Sequence, residues 1–370
     1  MNEPIRVLHV VGNLNFGGVQ MMLLNYYRNI DRNKVQFDFL VYGSKVGFFE
    51  KEIENLGGRI LRVTSMKDNL ILYNKEIKIL FKKEKYSIIH IHHNYANIYA
   101  AIQAKRVKTK CIISHSHAAH VTRSIRKKIF RKIIRFFINK ICNYKFACSA
   151  KAGEWLYGAK EMNKNKVKIL KNGIQAKEFR YNSELRETVR GNLDLTNNFV
   201  LGHVGRFTPA KNHTFLINVF DYVYKKNNNA RLVLIGDGEY KSKIKEKVQS
   251  MGLEKQVIFL GMQPNINELL QAFDVFLFPS LIEGLGITLI EAQASGIRCI
   301  ASDSIPSEVK ITGLLEFVSL NNSPDNWGEI VLKYAHGYKR EDTSNIIQSA
   351  HYDIKEQAAK LQIFYMQENR

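Results

Sequence analysis

A chain of 370 residues, 45% hydrophobic and 24% charged, is too long for one small core and too apolar for wholesale disorder. Its 6 prolines and 23 glycines exclude long linkers or a collagenous repeat, and none of its 4 cysteines (Cys111, Cys142, Cys148, Cys299) makes the C-x-x-C pair typical of a zinc site. Lys and Arg outnumber Asp and Glu by 55 to 34, and the net charge of +21 points to an anionic partner: phosphate, anionic lipid or nucleic acid.

The apolar run Ile5 to Val11 is too short for a signal peptide and reads as a first strand; no uninterrupted apolar stretch is long enough to span a bilayer. Short β-branched runs then alternate with amphipathic segments, the pattern of parallel βαβ units. Strands are expected at 5–12, 36–42, 59–64, 87–92, 110–115, 144–147 and 167–170, with helices near 19–30, 47–56, 73–84, 95–105, 123–141 and 150–158. Beyond residue 175 the chain turns polar, and a linker is expected over 172–198. A second alternation follows, with strands at 199–205, 231–235, 256–260, 274–278 and 298–301. The last stretch, 343–369, reads as helix. Two doubly wound α/β domains follow from this, 1–175 and 176–351, with a terminal helix near 352–370 that packs back on the first. In open parallel sheets ligands bind at the carboxyl ends of the strands, so two facing sheets make a cleft lined by strand-end loops.

The chemically suggestive residues fall just after strands. Gly12-Asn13-Leu14-Asn15-Phe16-Gly17-Gly18 leads into a helix whose free N–H groups suit an anion, although the spacing is not that of a dinucleotide fingerprint and there is no P-loop. Ser114-His115-Ser116-His117, with His120 close behind, ends another strand; alternation sends His115 and His117 to one side. Lacking a nearby carboxylate, the pair reads as polar groups in the cleft rather than metal ligands. Arg206 and Lys211 follow the first strand of the second half and suit a diphosphate. Glu283 and Glu291 flank Gly284-Leu285-Gly286 after a buried-type strand. Carboxylates beside a diphosphate site accept hydrogen bonds from vicinal hydroxyls, the chemistry of a nucleotide-sugar.

From Lys85 to Gly153 there are 15 Lys and Arg and no acid. Within this span Ile125, Ile129, Phe130, Ile133, Ile134 and Phe137 recur at helical spacing, and this stripe is expected to pack on the first sheet. The bases around it, Arg126, Lys127, Arg131 and Arg135 among them, are expected to rest on an anionic membrane surface. No zinc motif, ribonucleoprotein sequence or recognition-helix pattern supports nucleic acid.

Taken together these residues resemble a retaining glycosyltransferase of family 4 with the GT-B fold, of the bacterial capsule and exopolysaccharide type. The resemblance covers nearly the whole chain. The family's E-x7-E element is matched by Glu283 and Glu291, its basic pair by Arg206 and Lys211, its glycine loop by Gly17 and Gly18, and its strand-end histidine by His117, with His115 as rival. Ala147-Cys148-Ser149, Trp155 to Gly158 and Lys171 to Ile174 are also similar. Leu285 and Thr288 stand where the family often has Phe and Pro, which puts donor-sugar preference in doubt. The acid-free span, the basic helix and the lack of a membrane span or signal point to a cytoplasmic enzyme peripheral to the inner face of the membrane, and the resemblance implies one without metal or cofactor. It would move a hexosyl or N-acetylhexosaminyl group from a UDP-sugar to a polyprenyl-linked glycan or oligosaccharide. In it Glu291 would hold the ribose, Glu283 the donor sugar, and Arg206 and Lys211 the leaving diphosphate. The glycine-loop amides would assist, and His117 would contact the donor sugar or incoming hydroxyl. A GT-B-like nucleotide-sugar epimerase is the enzyme alternative, and a basic nucleic-acid-binding protein the non-enzymatic one.

Overall fold

The computed structural model describes residues 3–118 and 124–370, so His120 and Arg123 lie outside the described residues. The chain forms two compact units, Met1–Ile174 with His351–Arg370, and Gln175–Ala350. The first is built on seven parallel strands: β1 (Ile5–Gly12), β2 (Val35–Tyr42), β3 (Ile60–Val63), β4 (Ile88–Ile91), β5 (Cys111–Ser116), β6 (Tyr144–Ala147) and β7 (Val167–Ile169). Their order is β3-β2-β1-β4-β5-β6-β7. The second has β8 (Phe199–Val204), β9 (Ala230–Ile235), β10 (Val257–Gly261), β11 (Val275–Phe278), β12 (Arg298–Ser302) and β13 (Leu315–Val318), ordered β10-β9-β8-β11-β12-β13. Both are Rossmann-like. Strands β4, β5, β8 and β11 are buried along their whole length, which is why they read as apolar runs rather than alternations.

Each expected strand is present to within a residue at either end. Strand β13 was not expected: it is four residues long at the sheet edge, and only Leu315 and Val318 are buried. The supposed linker is also more structured than its polarity implies. Within it lies a helix, Ser183–Asn192, capped by the Asn182 side chain on the Leu185 N–H. Arg186 donates to Asp274 at 2.5 Å and to the Gln271 carbonyl at 2.7 Å, and Arg190 reaches Asp274 at 3.2 Å. Asp274 also accepts from the Val200 N–H at 2.7 Å, tying this helix to the start of β8.

The terminal segment is two helices, Ser344–Ser349 and Ile354–Asn369, broken where His351 adopts φ 62° and Asp353 caps the second. The second helix belongs to the first unit. Its Ile354, Ala358, Leu361 and Tyr365 share a core with Tyr26, Tyr27, Phe37 and Phe39. Among the described residues no helix is long and apolar enough to cross a membrane.

Helix Ile125–Ile141 departs from expectation. Only Ile134 and Ile138 are buried in the fold, whereas Ile125, Ile129, Phe130, Ile133, Phe136 and Phe137 are between 46% and 72% exposed. The neighbouring helices Asn97–Arg106 and Ala150–Tyr157 take only a narrow strip of this helix, so the expected packing of the stripe on the sheet is corrected: most of it faces outward.

Asp274→Ala strands two guanidinium groups against carbonyls alone. Breaking such an enclosed pair costs about 3 kcal/mol. The variant should therefore unfold at a lower denaturant concentration and be cleaved sooner by protease between residues 181 and 198. A wild-type urea midpoint would show that the 183–192 helix is not held this way.

Candidate active site

Strand order reverses between β8 and β11 in the second unit, and ligands of open parallel sheets bind at such a reversal. The two loops that leave these strands carry Arg206, Lys211 and Glu283, and Glu291 lies in the helix that follows the second loop. The loops are joined by the Leu281 N–H on the Ala210 carbonyl at 2.8 Å. Lys211 and Glu283, 72 residues apart, form an ion pair at 2.6 Å with both side chains mostly buried. The Lys211 ammonium also lies 4.6 Å from the centre of the Phe278 ring. Arg206 is exposed and makes no ion pair or side-chain hydrogen bond among the described residues.

Glycines shape this end of the sheet. Gly236 and Gly238 have φ of +135° and +156°, and a Cβ on either would strike the carbonyl oxygen of Gly205 or Phe207 at 2.2 and 2.4 Å. The loop after β9 is thus pressed against the backbone on either side of Arg206. Sequence reasoning passed it over, although Gly236-Asp237-Gly238 directly after a strand was a readable signal.

Gly286, with φ +97°, is the left-handed entry to helix Ile287–Ala294, and Glu291 sits one turn inside that helix. The Glu291 carboxyl is partly buried and has no hydrogen-bond partner among the described residues; desolvation alone pushes it up to about 7. The buried hydroxyls of Ser280 and Thr288 likewise lack protein partners. Leu285 is buried, so its difference from the family pattern is a matter of packing, whereas Thr288 adds a hydroxyl. A paired and an unpaired carboxylate, a free guanidinium and unclaimed hydroxyls make a surface suited to an anionic, hydroxyl-rich ligand.

In the first unit, the glycine loop follows β1 and Gly18 begins helix Gly18–Asn29, whose first turn has no acid and no side-chain cap. A Cβ on Gly18 would meet open space, leaving the helix start unobstructed. His117 stands one residue beyond β5, partly buried, with its ring centroid 3.9 Å from that of His115. The two lie on one side, as alternation requires. They join four histidines that sequence reasoning missed, His9 of β1, His90 of β4, and His92 and His93 just beyond β4. His117 Nε2 is 2.8 Å from His92 Nδ1, and His92 Nε2 is 3.0 Å from His9 Nδ1. His115 Nδ1 is 3.1 Å from His90 Nε2, and His90 Nδ1 is 2.7 Å from the Tyr365 hydroxyl. Burial holds all six neutral, with His9 and His117 pushed down to about 3 and His93 to about 4. Between the rivals, His115 is wholly enclosed and His117 is the one at the surface.

On helix Ile125–Ile141, Arg126 and Lys127 are exposed, as are Lys128 and Lys132. Arg135 is committed to the fold, donating to the carbonyls of Trp155 at 2.9 Å and Leu156 at 3.2 Å, and Arg131 bonds the Tyr95 hydroxyl. Lys140 lies over the exposed Phe136 ring.

The profile described as Glycosyltransferase Family 4 matches residues 16–178, and that described as Glycosyl transferases group 1 matches residues 186–351. The chain is 33% identical over 368 residues to the putative glycosyltransferase EpsF of Bacillus subtilis, covering 96% of this chain and 95% of that protein. It is 28% identical over 321 residues to the Escherichia coli UDP-Gal:alpha-D-GlcNAc-diphosphoundecaprenol alpha-1,3-galactosyltransferase, covering 82% of this chain and 80% of that one. The capsular polysaccharide biosynthesis glycosyltransferase CapH of Staphylococcus aureus is 26% identical over 98% of this chain and 99% of its own. Among solved structures, Anabaena HepE in complex with UDP and glucose superimposes with a TM-score of 0.74 at 17% identity, over 99% of this chain and 98% of that one. Sucrose-phosphate synthase of Thermosynechococcus elongatus gives 0.76 at 16% identity, over 98% of each. These likenesses place the fold in the GT-B class. The chain belongs to the family 4 glycosyltransferases, with its kin among the makers of capsule and other surface polysaccharides.

Proposed function

We propose that this glycosyltransferase moves a hexosyl or N-acetylhexosaminyl group from a UDP-sugar to a lipid-linked or growing polysaccharide acceptor, with retention and without a divalent ion in the transfer step. The observation that carries the reading is the charge cluster at the β8–β11 reversal: Lys211 paired with Glu283, beside an unpaired Glu291 and a free Arg206. The E. coli relative is named for a UDP-sugar donor and a diphosphoundecaprenol acceptor, and HepE was crystallised with UDP and glucose, which supports both halves of the reaction.

In this reading Glu291 accepts hydrogen bonds from the ribose hydroxyls, and Glu283 meets the donor sugar with the oxygen that Lys211 leaves open. The bond from the sugar carbon to the diphosphate oxygen breaks, and Arg206 and Lys211 stabilise the charge that collects on that oxygen. The acceptor oxygen attacks from the same face while its proton passes to the departing diphosphate. The neutral His117 orients the sugar or the acceptor hydroxyl through its Nδ1. The open helix start at Gly17 and Gly18 adds N–H donors. No further cofactor is required.

The protein is read as cytoplasmic, docking at the inner face of the membrane through helix Ile125–Ile141. Its outward face interleaves large apolar side chains with Arg126, Lys127, Lys128, Lys132 and Lys140, and no acid lies between Lys85 and Gly153. Each base near an anionic surface contributes about 1 kcal/mol, enough together for reversible docking. The fold already uses Arg131 and Arg135, so they have less to offer lipid.

Glu291→Gln should weaken UDP and the sugar donor alike, at least tenfold for a lost charge-assisted hydrogen bond of about 1.5–3 kcal/mol. Glu283→Gln should leave UDP binding intact and lower turnover. Equal loss of UDP binding in both, by calorimetry, would refute the division of roles. Proton competition adds a second reading. With a Glu291 carboxyl near 7, wild-type UDP affinity should fall about tenfold more between pH 8 and pH 6 than that of Glu291→Gln. Stability should move the other way. Folding raises this carboxyl above 4.5, so its stabilising contribution is complete below that pH and lost as pH climbs through 7. Glu291→Gln without ligand should therefore melt higher than wild type at pH 8 and near it at pH 5.

Arg206→Ala and Lys211→Ala should each lose roughly 100-fold or more in turnover at saturating donor, as when an oxyanion donor is removed. Added Mg²⁺ or Mn²⁺ should not restore it. Near-normal turnover in both would place the diphosphate elsewhere.

For the membrane, Arg126→Gln, Lys127→Gln, Lys128→Gln and Lys132→Gln combined should abolish flotation with phosphatidylglycerol vesicles at low salt while UDP affinity is kept. Wild-type protein that ignores these vesicles, or binds neutral ones equally, would leave the helix with a role in the fold alone.

A further inference from the structure

The geometry points to a transition-metal site of the zinc class in the first unit, with His92, His115 and His117 as ligands. One ligating nitrogen from each of these three lies within 4.8 Å of the others. Hydrogen bonding identifies the atoms. His92 Nε2 is taken by His9 and His115 Nδ1 by His90, so the candidate ligand atoms are His115 Nε2 and the facing pair His92 Nδ1 and His117 Nε2, which now bond one another and between which the ion would stand. His115 Nε2 is fully buried and has no protein partner, an orphaned lone pair or proton at the heart of the cluster. Buried polar atoms usually find a partner, and a bound ion would supply one here.

The surrounding shell is what a metal site requires. Ligating imidazoles usually give their other N–H to a fixed acceptor, which sets tautomer and orientation. Here one set of protons serves every bond behind the ligating atoms, with His9 Nε2–H left unpartnered. His92 Nε2–H donates to His9 Nδ1, His115 Nδ1–H donates to His90 Nε2, and His90 Nδ1–H donates to the Tyr365 hydroxyl oxygen. All three outward nitrogens then present lone pairs. A purely imidazole set with no carboxylate or thiolate favours Zn²⁺, Ni²⁺ or Co²⁺ over Mg²⁺ or Ca²⁺. In tetrahedral zinc two nitrogens at about 2.05 Å from the ion stand about 3.3 Å apart. His92 and His117 are at 2.8 Å, so their rings need part by only about half an ångström.

A second, deeper triad, His9, His90 and His92, is also close enough, but both ring nitrogens of His90 are held by groups outside it, Tyr365 and His115. The outer triad alone keeps a partly exposed member, His117, through which an ion enters and where a fourth, oxygen ligand completes the site. The ion would fix the His117 ring from behind, on Nε2, and leave Nδ1 facing outward. It holds a side chain in place and takes no part in bond breaking, and the inference stands whether or not sugar transfer follows the route above.

The test uses untagged full-length protein stripped with chelator and titrated with Co²⁺. Wild type should take up one equivalent, show the visible bands of nitrogen-bound tetrahedral or five-coordinate Co²⁺, and lose them when Zn²⁺ is added. His117→Gln should weaken Zn²⁺ at least 100-fold while melting, in chelator, near the wild-type temperature. Tyr365→Phe, which removes the oxygen that positions His90 and through it His115, should weaken Zn²⁺ about tenfold. Uptake well below one equivalent, or binding in His117→Gln equal to wild type, overturns the site and leaves the histidines as packing.

Discussion

The reversal of strand order between β8 and β11 is the constraint on which the candidate site depends. Both strands are buried along their length, so neither tolerates a charge within the sheet. Charged chemistry is displaced to the strand ends, and only at the reversal do the two following loops diverge and leave room for a ligand. The loop glycines allow this crowding. Gly236 and Gly238 bring a third loop up to the backbone around Arg206, and Gly286 turns the chain so that Glu291 enters its helix beside the same opening. The outcome is uneven: Lys211 and Glu283 neutralise one another, whereas the partly buried Glu291 has no counter-charge. Hydroxyl donors from a ligand would offset the desolvation of that carboxylate, which makes the empty-handed acid a selective feature rather than a defect.

The fold was legible where burial is two-sided, because strands such as Val275 to Phe278 carry no alternation to misread. The site was legible in its parts, since acids and bases directly after strands have few structural duties. What could not be read was pairing across long separations. Nothing local in Lys211 announces Glu283, and nothing in Tyr181 to Asn198 announces that Arg186 and Arg190 converge on Asp274. The histidines illustrate the same point. His9, His90 and His92 look like ordinary residues in or beside two strands, and only the order β1-β4-β5 stacks them with His115 and His117 into one network. Helical spacing over 125–141 revealed an apolar stripe correctly but carries no sign of which side meets the sheet. The fold takes Ile134 and Ile138 and leaves the rest outward.

The outward stripe and the neutral histidine cluster belong to the same unit and differ in kind. One is apolar surface left in water, stable only because bases interrupt it and keep copies apart. The other is polar matter withdrawn from water, stable only because each ring orders the next.

The return of helix Ile354–Asn369 to the first unit has a consequence for how the protein is made. Residues 1–174 leave the ribosome well before Tyr365 is translated, and at about 5–20 residues per second the intervening unit takes roughly 9–35 s to emerge. Throughout that interval the nascent first sheet lacks Ile354, Ala358, Leu361 and Tyr365 from its core, and His90 lacks its hydroxyl partner. The second unit, continuous in sequence, has no such wait. Vectorial synthesis therefore completes the later domain first, and the last helix to be translated closes the domain that was begun first.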